Sequence, residues 1–194
     1  MSKKNEDVKL HRLKKKRMQV KIKGVTPLLM EKMDPTVAER YDKKKSHQTV
    51  KEDTRSEEEK LKDKIHYTED GNIGFPAAGF KQGMVEVAPY LDMYKKHVRG
   101  SVRVLGNIIP IDFEKQTVNT AIGKTSGRNQ SPRLIKRPEF RGWSCTLDII
   151  YNADVLSAEQ IVNLLNWAGF QQGLGGWRPE CEGTYGQYEV ETSN

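Results

Sequence analysis

The sequence lacks the features that mark a membrane-bound, secreted or zinc-binding protein. No apolar run approaches the ~20 residues that a bilayer-spanning helix needs, and the N-terminus is basic without the apolar stretch of a secretory signal. Only two cysteines occur, Cys145 and Cys181, and neither belongs to a CxxC pair. We therefore expect a protein of the reducing cytoplasm, or of a host cytoplasm if it is viral, with no membrane partner, no metal and no cofactor.

A nucleotide-hydrolysing loop is also missing. Gly123, Lys124 and Thr125 reproduce the end of the phosphate-binding motif, but Val118 stands where that motif needs its first glycine. The carboxylates show no metal-ligand spacing. Both observations argue against nucleotide- or metal-dependent catalysis.

Positive charge is what the sequence has in excess. Lysine and arginine total 33 against 26 aspartate and glutamate, which gives a net charge of +7 over 194 residues. Such an excess favours an anionic partner, most often a nucleic acid. Residues 1–17 are predicted to be a flexible basic arm, either a solvated tail or a contact to phosphates. Residues 114–141 are predicted to be a long loop in which arginines interleave with aromatic side chains. The candidate nucleic-acid contacts in and beside these segments are Lys14, Lys15, Lys16, Arg17, Lys21, Lys23, Arg128, Arg133, Lys136, Arg137 and Arg141.

Hydrophobic patterning predicts an α+β fold. Alternating strands are expected at 18–24 and 143–151. One amphipathic helix is expected after Pro76, and a second over 157–168 with a Ser157–Gln160 capping box. The other expected elements are a short helical turn at 27–33, a bent strand or hairpin at 98–113 and a last strand at 184–191.

Two hydrophilic insertions interrupt this pattern, at about 34–70 and 114–141. The first is rich in lysine and glutamate and contains a candidate surface helix at 56–64. Two interpretations fit this insertion: a mobile connection, or an extension that binds a neighbouring subunit or a nucleic acid. Without the insertions the order is βαββαβ, the ferredoxin-like or RRM-like arrangement, in a single domain over 18–194.

A glycine-rich stretch lies between the last predicted helix and the last strand. Gly169 is expected to end the helix, since glycine is the usual residue at that position. Trp177 and Arg178 follow a glycine cluster and could stack on a base or hold a phosphate. A surface connection with a buried tryptophan explains the same pattern. The candidate contacts of this stretch are Gly173, Gly175, Gly176, Trp177 and Arg178.

This loop resembles that of the RAMP superfamily, the RNA-binding subunits of CRISPR effector complexes. The matching residues are Gly173-Leu174-Gly175 and Gly183-Thr184-Tyr185-Gly186, ahead of a strand. The resemblance implies a backbone-type subunit that coats RNA as an oligomer or filament without catalysis. A stand-alone phage or mobile-element relative that coats RNA or single-stranded DNA fits equally, and other subunits of a nucleoprotein complex would then be further partners.

Two alternatives stay open. Some RAMP relatives cleave RNA without metal, and His97 beside Lys95 is the best candidate here for a general acid next to a phosphate-stabilising cation. A solvated surface histidine explains the same pattern. The other alternative is a structural or protein-binding assembly factor, in which the insertion and the glycine loop contact other subunits.

Overall fold

A computed structural model describes residues 12–33, 54–124 and 132–191, without the side chains of Lys124 and Arg133. Arg128 and the first half of the charged insertion lie outside the described residues, as does most of the predicted basic arm. The division into an arm and one domain therefore stays a prediction.

Ten strands and four α-helices make up the described chain, so the predicted α+β class is confirmed. In chain order they are β1 (Lys15–Gly24), β2 (Leu28–Leu29), α1 (Glu57–Asp63), β3 (His66–Tyr67), β4 (Ile73–Pro76), α2 (Ala77–Val87), α3 (Lys95–Ser101), β5 (Val102–Val104), β6 (Ile108–Pro110), β7 (Lys115–Lys124), β8 (Pro132–Arg141), β9 (Ser144–Asn152), α4 (Ala158–Gln171) and β10 (Tyr188–Val190). Short 3-10 helices follow α2 and precede β10.

The central sheet has the order β10-β1-β9-β5, and all its pairs are antiparallel. β1 begins at Lys15, three residues before the predicted strand, because its pairing with β9 extends back to Asn152. Alternation along β1 and β9 buries one face, where Ile22 and Leu147 are fully covered. α2 and α4 pack on that face and contribute Phe80 and Leu164 to the same core.

Two smaller sheets flank the central one. β3, β4 and β6 form the first, and β2, β8 and β7 form the second. β3 and β4 are joined by a turn around residues 69–72. The bent strand or hairpin predicted over 98–113 is wrong: residues 98–101 belong to α3, β5 pairs with β9, and β6 pairs with β4. The helical turn expected at 27–33 is also wrong: Leu28 and Leu29 are extended and pair with β8.

The long loop predicted over 114–141 is replaced by the largest hairpin of the molecule. β7 and β8 pair over ten positions each, from Lys115 opposite Arg141 to Lys124 opposite Pro132. Arg137 and Arg141 therefore project from a regular strand rather than from a flexible connection.

Helix α4 confirms its predicted start but not its predicted end. Ser157 and Gln160 form the capping box, whereas Gly169 lies inside the helix, which continues to Gln171. Gly169 is buried there because β10 crosses directly over it. A Cβ at this position would stand 1.9 Å from the carbonyl oxygen of Tyr188.

Replacement of Gly169 by alanine should destabilise the protein by about 2–3 kcal/mol, since an added methyl must displace backbone rather than a side chain. The matched control is Gly100→Ala in α3, where no heavy atom lies within 4 Å of the added carbon. That control should be neutral or stabilising by up to about 1 kcal/mol. Urea denaturation measures both, and equal stability of the two variants would contradict the close contact.

Candidate nucleic-acid interface

No helix of the described chain packs on the second face of the central sheet, and we call the outward side chains of β1, β5 and β9 on this face the open face. On β1 the five outward positions are all exposed, and four of them are basic: Lys15, Arg17, Lys21 and Lys23, with Gln19 as the fifth. Arg103 of β5 adds a further exposed cation. It lies in the same cross-strand row as Arg17, since both are paired with Ile150.

Carboxylates neutralise part of this charge. Arg17 is bonded to Asp148, which lowers the pKa of that carboxyl. Lys21 contacts Glu191 at 2.6 Å, and Lys14 lies 3.5 Å from Asp154. Among the described residues, no carboxylate oxygen lies within 4 Å of the side-chain nitrogens of Lys15, Lys16, Lys23 or Arg103. Lys16 lies in the opposite register of β1, so Lys15, Lys23 and Arg103 are the cations of the open face that are available to an external anion.

The second part of the candidate interface is the segment 172–187, which we call the glycine loop. Gly175 adopts a left-handed φ of +73°, and a Cβ there would stand 2.1 Å from the carbonyl oxygen of Leu29. The neighbouring Gly176 amide donates to that same oxygen at 2.9 Å. At the other end of the loop, the Gly186 amide donates to Pro27. The glycines therefore let the loop lie directly on the chain that connects β1 to β2.

Trp177 is held in a fixed position within this loop. Its φ is +49°, a left-handed conformation that is strained for a bulky residue. The Arg137 guanidinium lies 4.9 Å above its ring. Arg137 is 6% exposed and donates from Nε to Glu31 at 2.8 Å. Arg137 therefore packs on the face of Trp177 and exposes little of its own side chain, and its predicted contact with nucleic acid stays a prediction.

The hairpin is joined to the loop by a buried carboxylate. Glu139 is 4% exposed and accepts hydrogen bonds from Thr117, Asn119 and Arg141. Asn119 also donates to the Tyr185 hydroxyl at 3.1 Å. The predicted contact Arg141 is thus bound to the hairpin itself, although most of its side chain is exposed.

Two further predicted cations, Arg178 and Lys136, are likewise paired inside the molecule. Arg178 donates to Glu180 and to the carbonyl oxygen of Gly175, so its guanidinium lies across the loop. Lys136 contacts Glu57 of α1 at 3.2 Å. Exposed pairs of this kind contribute little to stability and can exchange for a phosphate. The roles predicted for Arg178 and Lys136 stay predictions.

The two residues of the endoribonuclease alternative each make a separate contact within the fold, and the alternative stays a prediction. His97 is exposed and contacts the Tyr94 ring edge-on, at 5.3 Å between centroids. Lys95 is bonded to Glu86 of α2. Burial, with a smaller contribution from Lys32, lowers the pKa of His66, whose ring packs against Phe75.

The described part of the chain contains no cluster of three or more metal-ligating side chains. None of its helices is both long and apolar enough to cross a membrane. Both cysteines are free, and burial raises the pKa of Cys145 to about 12, which keeps its thiol protonated.

Comparison with known proteins gives a likeness of fold. No known protein family and no curated protein matches the sequence. The chain is similar to one chain of the Type III-B Cmr-beta complex bound to cognate target RNA, at 13% identity and a TM-score of 0.51. The alignment covers 92% of this chain and 59% of that one, so the protein spans about three-fifths of that length. Cmr6 from Pyrococcus furiosus aligns at 10% identity and a TM-score of 0.47, over 93% of this chain and 100% of that one. At this identity the likeness to the Cmr-beta chain is one of fold alone.

Proposed function

We propose that the protein binds single-stranded nucleic acid, RNA in the first instance, and does not cleave it. The observation that carries this proposal is the open face, where Lys15, Lys23 and Arg103 stand exposed without carboxylate partners among the described residues. A strand on this face would follow β1 towards Gly24. There the chain turns under the glycine loop, since the Val25 amide donates to Gln187.

A ferredoxin-like core is part of the proposal. Counted in chain order, the four strands of the central sheet stand in the spatial order fourth, first, third, second. One helix follows the first strand and another follows the third, as a βαββαβ core requires. The solved structure with the similar fold belongs to a complex bound to target RNA, which favours RNA over single-stranded DNA.

Binding should depend steeply on salt and on the three exposed cations of the open face. We expect the triple variant Lys15→Ala, Lys23→Ala, Arg103→Ala to flatten the slope of log affinity against log salt by about 2, because each phosphate contact on a single strand contributes about 0.7. Fluorescence anisotropy with a labelled 20-nucleotide RNA measures this slope. The same reaction, run with and without Mg²⁺, should leave the RNA at full length.

A second triple variant controls for overall charge. Lys62→Ala, Lys96→Ala, Arg99→Ala removes three exposed cations from α1 and α3, outside the central sheet. It should retain the wild-type slope. If the two triple variants weaken RNA binding equally, the binding depends only on the net charge of the protein. Cleavage of the RNA that is lost in His97→Ala would establish the endoribonuclease alternative instead.

We also propose that copies of the protein contact one another along the strand. The hairpin supports this proposal, since Ile122 and Leu134 are directly paired and 77% and 57% exposed, beside Val118 at 52%. Three exposed apolar side chains on one face are typical of a protein contact. A head-to-tail contact of this kind propagates into an open filament.

Coating predicts that the number of bound copies rises with strand length. Sedimentation velocity on 20- and 60-nucleotide RNAs should show this increase for the wild type. Ile122→Thr with Leu134→Thr should abolish it, while Val25→Thr, at a residue 59% exposed elsewhere, should not. One copy on every length would contradict coating. Assembly without any nucleic-acid binding would favour the assembly-factor alternative.

A further inference from the structure

A cavity of about 160 Å³ lies between helix α2 and the glycine loop. Phe75 of β4 and the α2 residues Gly79, Gln82 and Gly83 line it, together with the glycine-loop residues Gln172, Leu174, Arg178 and Glu180. Neither the salt dependence nor the coating proposed above requires this cavity.

The cavity exists because α2 carries no side chains where it faces the loop. Gly79 and Gly83 are four residues apart and therefore on one helical face. A Cβ at Gly79 would come within 2.8 Å of the Phe75 ring and 3.4 Å of Leu174. Any larger side chain would fill the space, so the two glycines define its volume.

Two polar side chains of the lining make no hydrogen bond within the described chain. They are Gln82 and Gln172, and the side-chain amide of each offers donors and an acceptor to a ligand. The Tyr188 hydroxyl is also buried without a partner there, but Tyr188 is not part of the lining.

The size of the cavity suits a single ring. A protein cavity of roughly 150 Å³ holds one benzene molecule, so 160 Å³ accommodates a six-membered ring, whereas the fused rings of a purine would extend beyond it. Arg178 in the lining supplies a cation that can exchange its exposed partner Glu180 for a phosphate.

We propose that this cavity accepts one unstacked pyrimidine base from the bound strand. The ring packs against Phe75 and Leu174, the two glutamine amides bind its polar edge, and Arg178 contacts the adjoining phosphate. This inference rests on the proposed nucleic-acid binding and adds a base preference to it.

Anisotropy with U12 and A12 ribo-oligomers tests the preference. We expect the wild type to bind U12 about tenfold more tightly than A12, the effect of one additional base contact. Gln82→Leu with Gln172→Leu should reduce that ratio to below about threefold and leave A12 affinity unchanged. Gln171→Leu, an adjacent glutamine that does not line the cavity, is the matched control and should keep the wild-type ratio.

Equal affinity of the wild type for U12 and A12 would overturn the pyrimidine site and leave nucleic-acid binding intact. Failure to bind either oligomer would overturn both. A photocrosslink from U12 carrying 4-thiouridine makes the test independent of the variants. We expect crosslinks to peptides that contain Phe75, Gln82 or Gln172, and crosslinks confined to other peptides would contradict the site.

Discussion

Close backbone contacts at glycines hold the last part of the chain against the rest of the fold. β10 crosses α4 at Gly169, and the glycine loop touches β2 at Gly175. No other residue type permits either approach, because a Cβ would stand within 2.1 Å of a carbonyl oxygen at both places. The loop is therefore packed as part of the structure. It can present Trp177 and the cavity beside α2 in fixed positions.

The basic side chains of the described chain include two groups, those paired with carboxylates and those exposed without such a partner. Many of the basic side chains that the sequence singles out are paired with carboxylates, as Arg137 is with Glu31 and Lys136 with Glu57. These pairs connect the hairpin to the segment after β2 and to α1. A smaller set of exposed cations on the open face lacks such partners among the described residues. Net charge alone identifies the class of partner, but the pairing pattern decides which cations are available to it.

Local signals in the sequence were sufficient for some elements. The capping box at Ser157 fixed the start of α4, and the alternation of β1 identified its buried face correctly. The β7–β8 hairpin was missed because neither of its faces shows a buried apolar pattern. One face carries the polar cluster around Glu139, and the other exposes Ile122 and Leu134.

Contacts between distant segments account for the rest. The burial of Arg137 depends on Glu31, 106 positions away, and on the ring of Trp177. Gly169 looked like a helix end because only the position of β10 shows why a glycine is needed inside α4. The position of Arg103 on the open face could not be predicted from the sequence, because it depends on the pairing of β5 with β9. Periodicity describes neighbours along the chain, and these residues owe their roles to neighbours in space.

Chemical footprinting of lysines tests most directly whether the open face binds RNA. Acetylation of the protein, free and saturated with a single-stranded RNA, is read lysine by lysine by mass spectrometry. RNA should protect Lys15 and Lys23 and leave Lys62 and Lys96, which are exposed on α1 and α3, as reactive as in the free protein. Saturation with RNA that left Lys15 and Lys23 fully reactive would contradict the account.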